Sequence, residues 1–275
     1  MRNMAKIAII NLKGGVGKSV TACNLSCILA GIYSRRVLVM DLDKQANTSK
    51  FFKRFLDTAD TMGDVLELRV KLPDVIRQTD FDGVDIAPSN MSMLLANKNV
   101  MFDVRRPQAD RLKNALEPLR NDYDYCIFDC PPDIDMATIN ALVAADYVII
   151  PVDCDEWALD GLAEIMDQVR DIQHGYNHEL AVMGVLATKY YRCLYSTQTI
   201  NQIAHLDIPA FRNEDGSVMR INNSVRVKEA KSAHEPLYKF APKCKPAEQY
   251  KNLAVRVMEI VEGKRVGVGG WRIVE

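Results

Sequence analysis

Lys13, Lys18 and Ser19 fall within one glycine-rich stretch, Asn11-Leu12-Lys13-Gly14-Gly15-Val16-Gly17-Lys18-Ser19-Val20. Those residue types at that spacing suit phosphate binding. Glycines let the backbone turn with its N–H groups inward, Lys18 can reach the β- and γ-phosphates of a nucleotide, and Ser19 can offer its hydroxyl to Mg²⁺. The ligand so implied is a nucleoside triphosphate. Two carboxylate stretches lie downstream. Asp41 and Asp43 open Asp41-Leu42-Asp43-Lys44-Gln45-Ala46-Asn47-Thr48. Phosphoryl transfer asks a protein chiefly for positioning and charge stabilisation, so Asp43 is read as the group that orients or deprotonates an attacking water, and Asp41 is expected nearer the magnesium shell. Asp129 ends the apolar run Tyr125-Cys126-Ile127-Phe128 and precedes Cys130-Pro131-Pro132, a place from which it can hold a water of the Mg²⁺ shell.

These groups must be delivered by alternating strands and helices. Residues 6–10 are a short β-branched run bounded by the glycine loop, the pattern of a central parallel strand. Residues 19–31 carry apolar side chains at helical spacing, with Gly31 read as the C-cap. Further strands are expected at 36–40, 84–88, 124–129, 147–152 and 180–186. Helical patterns cover 61–70, 91–102, 108–120, 136–145, 158–174 and 246–262, the last with Pro246 in its first turn and Gly263 at its end. This alternation predicts an α/β fold, a doubly wound and mostly parallel sheet with helices on both faces. No repeat and no low-complexity linker divides the chain, so one domain is expected over residues 1–263, followed by a tail over 264–275.

The chain has 275 residues, enough to bury a substantial core, and a formal net charge of -1 that exerts no global pull on nucleic acid or membrane. The charge is unevenly spread. Between Arg220 and Lys245, seven basic side chains (Arg220, Arg226, Lys228, Lys231, Lys239, Lys243 and Lys245) stand against Glu229 and Glu235. Such a segment suits salt-sensitive, sequence-independent contact with a phosphate backbone; a solvated helix face is the other reading. No apolar segment has the pattern of a signal peptide, and no run approaches the roughly 20 apolar residues needed to span a bilayer, so a cytoplasmic protein is expected. The seven cysteines are scattered through apparent strands and helices, which fits buried thiols rather than a disulfide framework or metal cage.

Taken together, the motifs resemble the ParA-type partition ATPases, relatives of MinD within the deviant Walker A class of P-loop proteins. The resemblance runs over nearly the whole chain. It rests on Lys13-Gly14-Gly15-Val16-Gly17-Lys18-Ser19, on Asp41-Leu42-Asp43-Lys44-Gln45-Ala46-Asn47, and on Asp129-Cys130-Pro131-Pro132 followed by Thr138-Ile139-Asn140-Ala141-Leu142. Ile149-Ile150-Pro151-Val152, Ser224-Val225-Arg226-Val227-Lys228-Glu229-Ala230 and Ala247-Glu248-Gln249-Tyr250 also match. The resemblance implies a slow ATPase that uses ATP and Mg²⁺, pairs face to face as a homodimer around two nucleotides, and coats nonspecific DNA in that state. A ParB-like centromere-binding partner would stimulate hydrolysis and release it, and the ATP-bound form would be nucleoid-associated. Lys13 would then contact the neighbour's phosphates, Lys18 its own, Ser19 the metal, and Asp43 the hydrolytic water. Arg220, Arg226, Lys228, Lys231 and Lys243 would carry DNA.

Four positions depart from the family's pattern: Leu12, Val20, Lys44 and Lys231. Val20 brings no hydroxyl to the α-phosphate, and Lys44 and Lys231 each replace a proline. With its first strand near residue 5, the chain resembles the shorter partition ATPases, which lack an N-terminal helix-turn-helix. Three other readings compete: a MinD-like membrane-cycling regulator, disfavoured by the glycine-rich tail at 264–275; an electron-donating ATPase like nitrogenase iron protein; and an ATPase that positions another protein cargo.

Overall fold

Ile7 and Ile9 belong to one buried cluster and Ala8 to another, so the strand β1 (Ala5–Ile9) is covered on both faces. That is the condition under which a parallel strand reads as an unbroken apolar run. The computed structural model describes residues 4–155, 159 and 161–263. After β1 come α1 (Lys18–Gly31), β2 (Val37–Asp41), α2 (Asn47–Phe51), α3 (Met62–Leu66), α4 (Leu72–Val75), β3 (Arg77–Gln78), β4 (Val84–Ala87), α5 (Ser92–Met101) and α6 (Arg111–Leu116). A 3₁₀ turn at Glu117–Leu119 leads to β5 (Tyr125–Asp129), α7 (Met136–Ala144), β6 (Tyr147–Asp153), α8 (Leu162–Gly175) and β7 (Ala181–Tyr190). The chain closes with α9 (Leu194–Ala204), β8 (Arg220–Asn222), α10 (Val225–Ala233), α11 (Leu237–Phe240) and α12 (Lys245–Gly263).

The strands form one eight-stranded sheet in the order β3-β4-β2-β5-β1-β6-β7-β8. Every pairing is parallel except β3 with β4. The doubly wound, mostly parallel fold expected from the alternation is therefore present. Chain order reverses around β1, and the loops leaving the carboxyl ends of β1, β2 and β5 open into one crevice, the place where such sheets hold ligands. The register sets Asp41 of β2 directly beside Asp129 of β5, and Asp129 beside Ile9 of β1.

Helix α1 buries all but a few of its residues because it lies between the sheet and α12. Tyr250 of α12 meets Thr21 of α1, oxygen to oxygen, at 3.3 Å, and Ala247, Leu253, Ala254 and Val257 complete the buried stripe of α12 at helical spacing. Gly31 is not the expected left-handed cap. It is the last residue of α1, and a side chain there would collide with the Tyr238 hydroxyl; the turn that follows instead places Ser34 in the left-handed region. The helix expected over 108–120 begins only at Arg111, because Gln108 and the Arg111 guanidinium are engaged with loop carbonyls at Met101 and Pro107. The glycine-rich tail at 264–275, the feature that disfavours a membrane helix, lies outside the described residues.

Candidate active site

Between β1 and α1 the chain turns through Gly15 and Gly17, whose φ angles of 78° and 98° lie in the left-handed region where a side chain would be strained. Gly17 caps α1, its carbonyl accepting from Thr21 N–H at 2.8 Å. The loop is braced from behind by Thr188 at the end of β7, whose hydroxyl donates to the Val16 carbonyl at 2.7 Å. Gly14 and Gly15 are exposed, Val16 is buried, and Val20 packs against the apolar cluster beneath α12.

Lys18 is buried, and its ammonium donates to the carbonyls of Asn11 at 2.8 Å and Lys13 at 3.1 Å. Burial lowers its pKa, opposed by the nearby Asp129, Cys130, Asp43 and Asp133. Its hydrogen bonds are to neutral carbonyls and the carboxylates act on it only through space, so an anion in the loop could pair with it directly. Lys13 points the other way and forms an ion pair with Asp155, just past β6.

Asp129 is fully buried. Thr48 donates to its Oδ2 at 2.6 Å. Its Oδ1 is buried without a hydrogen-bond donor, and the nearby Ser19 hydroxyl eases the carboxylate's charge. Burial raises the pKa of Asp129 and of the adjoining Asp41. The Asp129 carboxylate, with one oxygen unanswered near the Ser19 hydroxyl, offers oxygen donors of the kind a hard cation such as Mg²⁺ takes.

Asp43 is 8% exposed at the mouth of the crevice, where its Oδ1 accepts from the Gln45 N–H at 2.9 Å. Asp41 does not take the place expected of it near a magnesium shell. Its Oδ2 accepts from the Ser49 N–H at 2.8 Å and the Ser49 hydroxyl at 2.7 Å, and its Oδ1 accepts from the Asp43 N–H at 3.1 Å. Both oxygens therefore serve to fold the segment that carries Asp43. Thr48 and Ser49 are the residues missed in the sequence; the signal available was a pair of hydroxyls seven and eight residues after Asp41, where a returning helix brings Ser49 to Asp41 and Thr48 to Asp129. Lys44 extends to Asp133 at 3.7 Å, tying this segment to the loop after β5.

The basic residues are dispersed. Arg226, Lys228 and Lys231 lie on α10, whose single buried residue is Ala230, and Arg226 pairs with Glu229 at 2.8 Å. Arg220 covers the Tyr190 ring at 4.2 Å, and Lys243 is exposed beyond α11. Lys231 alone of these touches the segment after β2, through Asn47 at 3.4 Å. All seven cysteines are free thiols, five of them buried.

Residues 4–182 match a family model described as an AAA domain. The sporulation initiation inhibitor protein Soj of Bacillus subtilis is 37% identical over 253 residues, covering 91% of this chain and 97% of that protein. The chromosome partitioning protein ParA of Caulobacter vibrioides is 32% identical over 255 residues, covering 92% and 93%. A crystal structure described as cobyrinic acid a,c-diamide synthase from Mycobacterium smegmatis, with bound ATP analogue and magnesium, superposes with a TM-score of 0.81 at 26% identity, covering 98% of this chain and 100% of that one. Identity of this extent to Soj and ParA over nearly the whole of each chain shows that the chain belongs to the ParA/Soj family of partition ATPases.

Proposed function

We propose that the chain is a DNA-segregation ATPase, a molecular switch that binds ATP and Mg²⁺, pairs with a second copy, holds nonspecific DNA in that state and is released when a ParB-like partner stimulates hydrolysis. The observation that carries this reading is the meeting of the loop lysine, the buried Asp129 and the Asp43 segment at the carboxyl ends of the central strands, with α10 resting against that segment through Lys231 and Asn47. The residues Lys13 to Val20 form the phosphate loop, Ser19, Asp43 and Asp129 face the metal or its waters, and Mg²⁺ would neutralise charge developing on the phosphates. Lys18 holds the outer phosphates. Asp43, anchored through its backbone N–H to Asp41, orients a water for attack. Lys13 reaches a partner's nucleotide only after leaving Asp155. Soj and ParA, as relatives named for sporulation and chromosome partitioning, support the DNA role.

The test is binding of a random-sequence duplex with no nucleotide, with ADP and with a nonhydrolysable ATP analogue, at two salt concentrations. Binding with the analogue alone, weakened by salt, is expected. No binding in any state would keep the ATPase and shift the track to a membrane or a protein cargo, which vesicle sedimentation with ATP would then separate.

A further inference from the structure

Lys189 has no part in the site described above, yet it stands at its rim. It lies near the end of β7 with a φ of 51°, in the left-handed region that an L side chain occupies only where its surroundings hold it. Its ammonium donates to Asp153 at 2.7 Å and lies 4.0 Å from the point where a side chain on Gly15 would begin. The residue before it, Thr188, is hydrogen-bonded to the loop at Val16, so the strand end that carries Lys189 is fastened to the loop. Lys13 approaches the loop's rim as well, paired with Asp155. The end of β6 and the turn just past it thus supply a carboxylate to each of two rim lysines.

Both lysines are partly open to solvent, 44% exposed for Lys189 and 40% for Lys13. Asp153 is 16% exposed, so the solvent-facing end of its pair with Lys189 is the lysine, for which a phosphate, with more charge and more acceptor oxygens, competes with a carboxylate. The outer phosphates should lie on the Asn11 to Gly15 side of the loop, because Lys18 hangs from the carbonyls of Asn11 and Lys13. Lys189 stands on that side.

We propose that Lys189 is a further phosphate-binding residue, which exchanges Asp153 for an outer phosphate oxygen of the bound nucleoside triphosphate. This rests on the nucleotide-binding reading above. The experiment titrates the full-length chain and its variants with a fluorescent nonhydrolysable ATP analogue and with AMP. Lys189→Met should weaken the analogue about tenfold, the scale of one charge-assisted contact, while AMP affinity holds. Asp153→Asn, which frees Lys189, should tighten the analogue. A pair that serves only to hold β6 to β7 would move both variants the same way. Unchanged analogue affinity in Lys189→Met, or weakening in Asp153→Asn, overturns the proposal. Lys189→Arg should restore binding, and if Lys189→Met fails to fold, the sign of Asp153→Asn decides. Lys18→Ala separates the two levels: if it binds like the wild type, the nucleotide site itself is misassigned, whereas if it fails while Lys189→Met does not, only the role of Lys189 is lost.

Discussion

In the proposed site Lys18 is the residue on which nucleotide binding would turn, because it is a buried cation whose hydrogen bonds are to carbonyls. Lys18→Ala removes the charge that answers the phosphates, and ATP affinity should fall by about a hundredfold or more, read by calorimetry; an affinity within error of the wild type would contradict the assignment. Asp43 has a different task. Asp43→Ala leaves the loop and Lys18 intact, so ATP should still bind while single-turnover hydrolysis drops on the order of a hundredfold. The turn through Gly15 and Gly17 into α1 was legible in the sequence because its glycines, lysines and serine are contiguous and their geometry is local. The role of Asp41 was not, since it depends on Ser49, which only the fold of the following segment brings back to it. The ion pair of Lys13 with Asp155 was equally hidden, its partners standing 142 residues apart.

Helix α2 is the element that holds Asp43 in place. It is five residues long, too short to persist on its own, and it is fastened by Thr48 to Asp129 and by Ser49 to Asp41. Ser49 also accepts from the Ser89 N–H at 2.9 Å, joining α2 to the loop after β4. Ser49→Ala would leave that N–H without its partner and take one donor from a buried carboxylate. A loss of about 2 kcal/mol in urea unfolding is expected, together with slower hydrolysis; full stability would mean that α2 is held by packing alone. The unbroken apolar runs of β5 and β6, the long apolar α1 and the amphipathic α12 were readable in the sequence. Those missed were α2, α4, β3, α9, β8, α10 and α11. Several are two to five residues long, with too few turns to print a period, and α10 buries only Ala230, so it shows no apolar stripe at all.

The whole molecule carries a net charge of -1, so the proposed DNA binding would have to come from where its charges sit, and the segment from Arg220 to Lys245 carries a basic excess. Within it Arg226 is 61% exposed and paired to Glu229, itself 42% exposed. Pairs of that kind contribute about 0–1 kcal/mol, so a DNA phosphate can displace Glu229 at small cost. The two residues should therefore act with opposite sign. Arg226→Glu should weaken ATP-dependent DNA binding and flatten its dependence on salt by about one ion for each phosphate no longer neutralised. Glu229→Ala, which removes the competitor without touching a basic residue, should strengthen DNA binding at the same salt. ATP affinity should be unchanged in both, because neither residue is hydrogen-bonded to the loop or to Asp43. A filter-binding series over salt for the three proteins reads both effects. If Glu229→Ala binds DNA no better and Arg226→Glu no worse, α10 is a solvated face, and the contact with DNA must be sought among Arg220, Lys239 and Lys243.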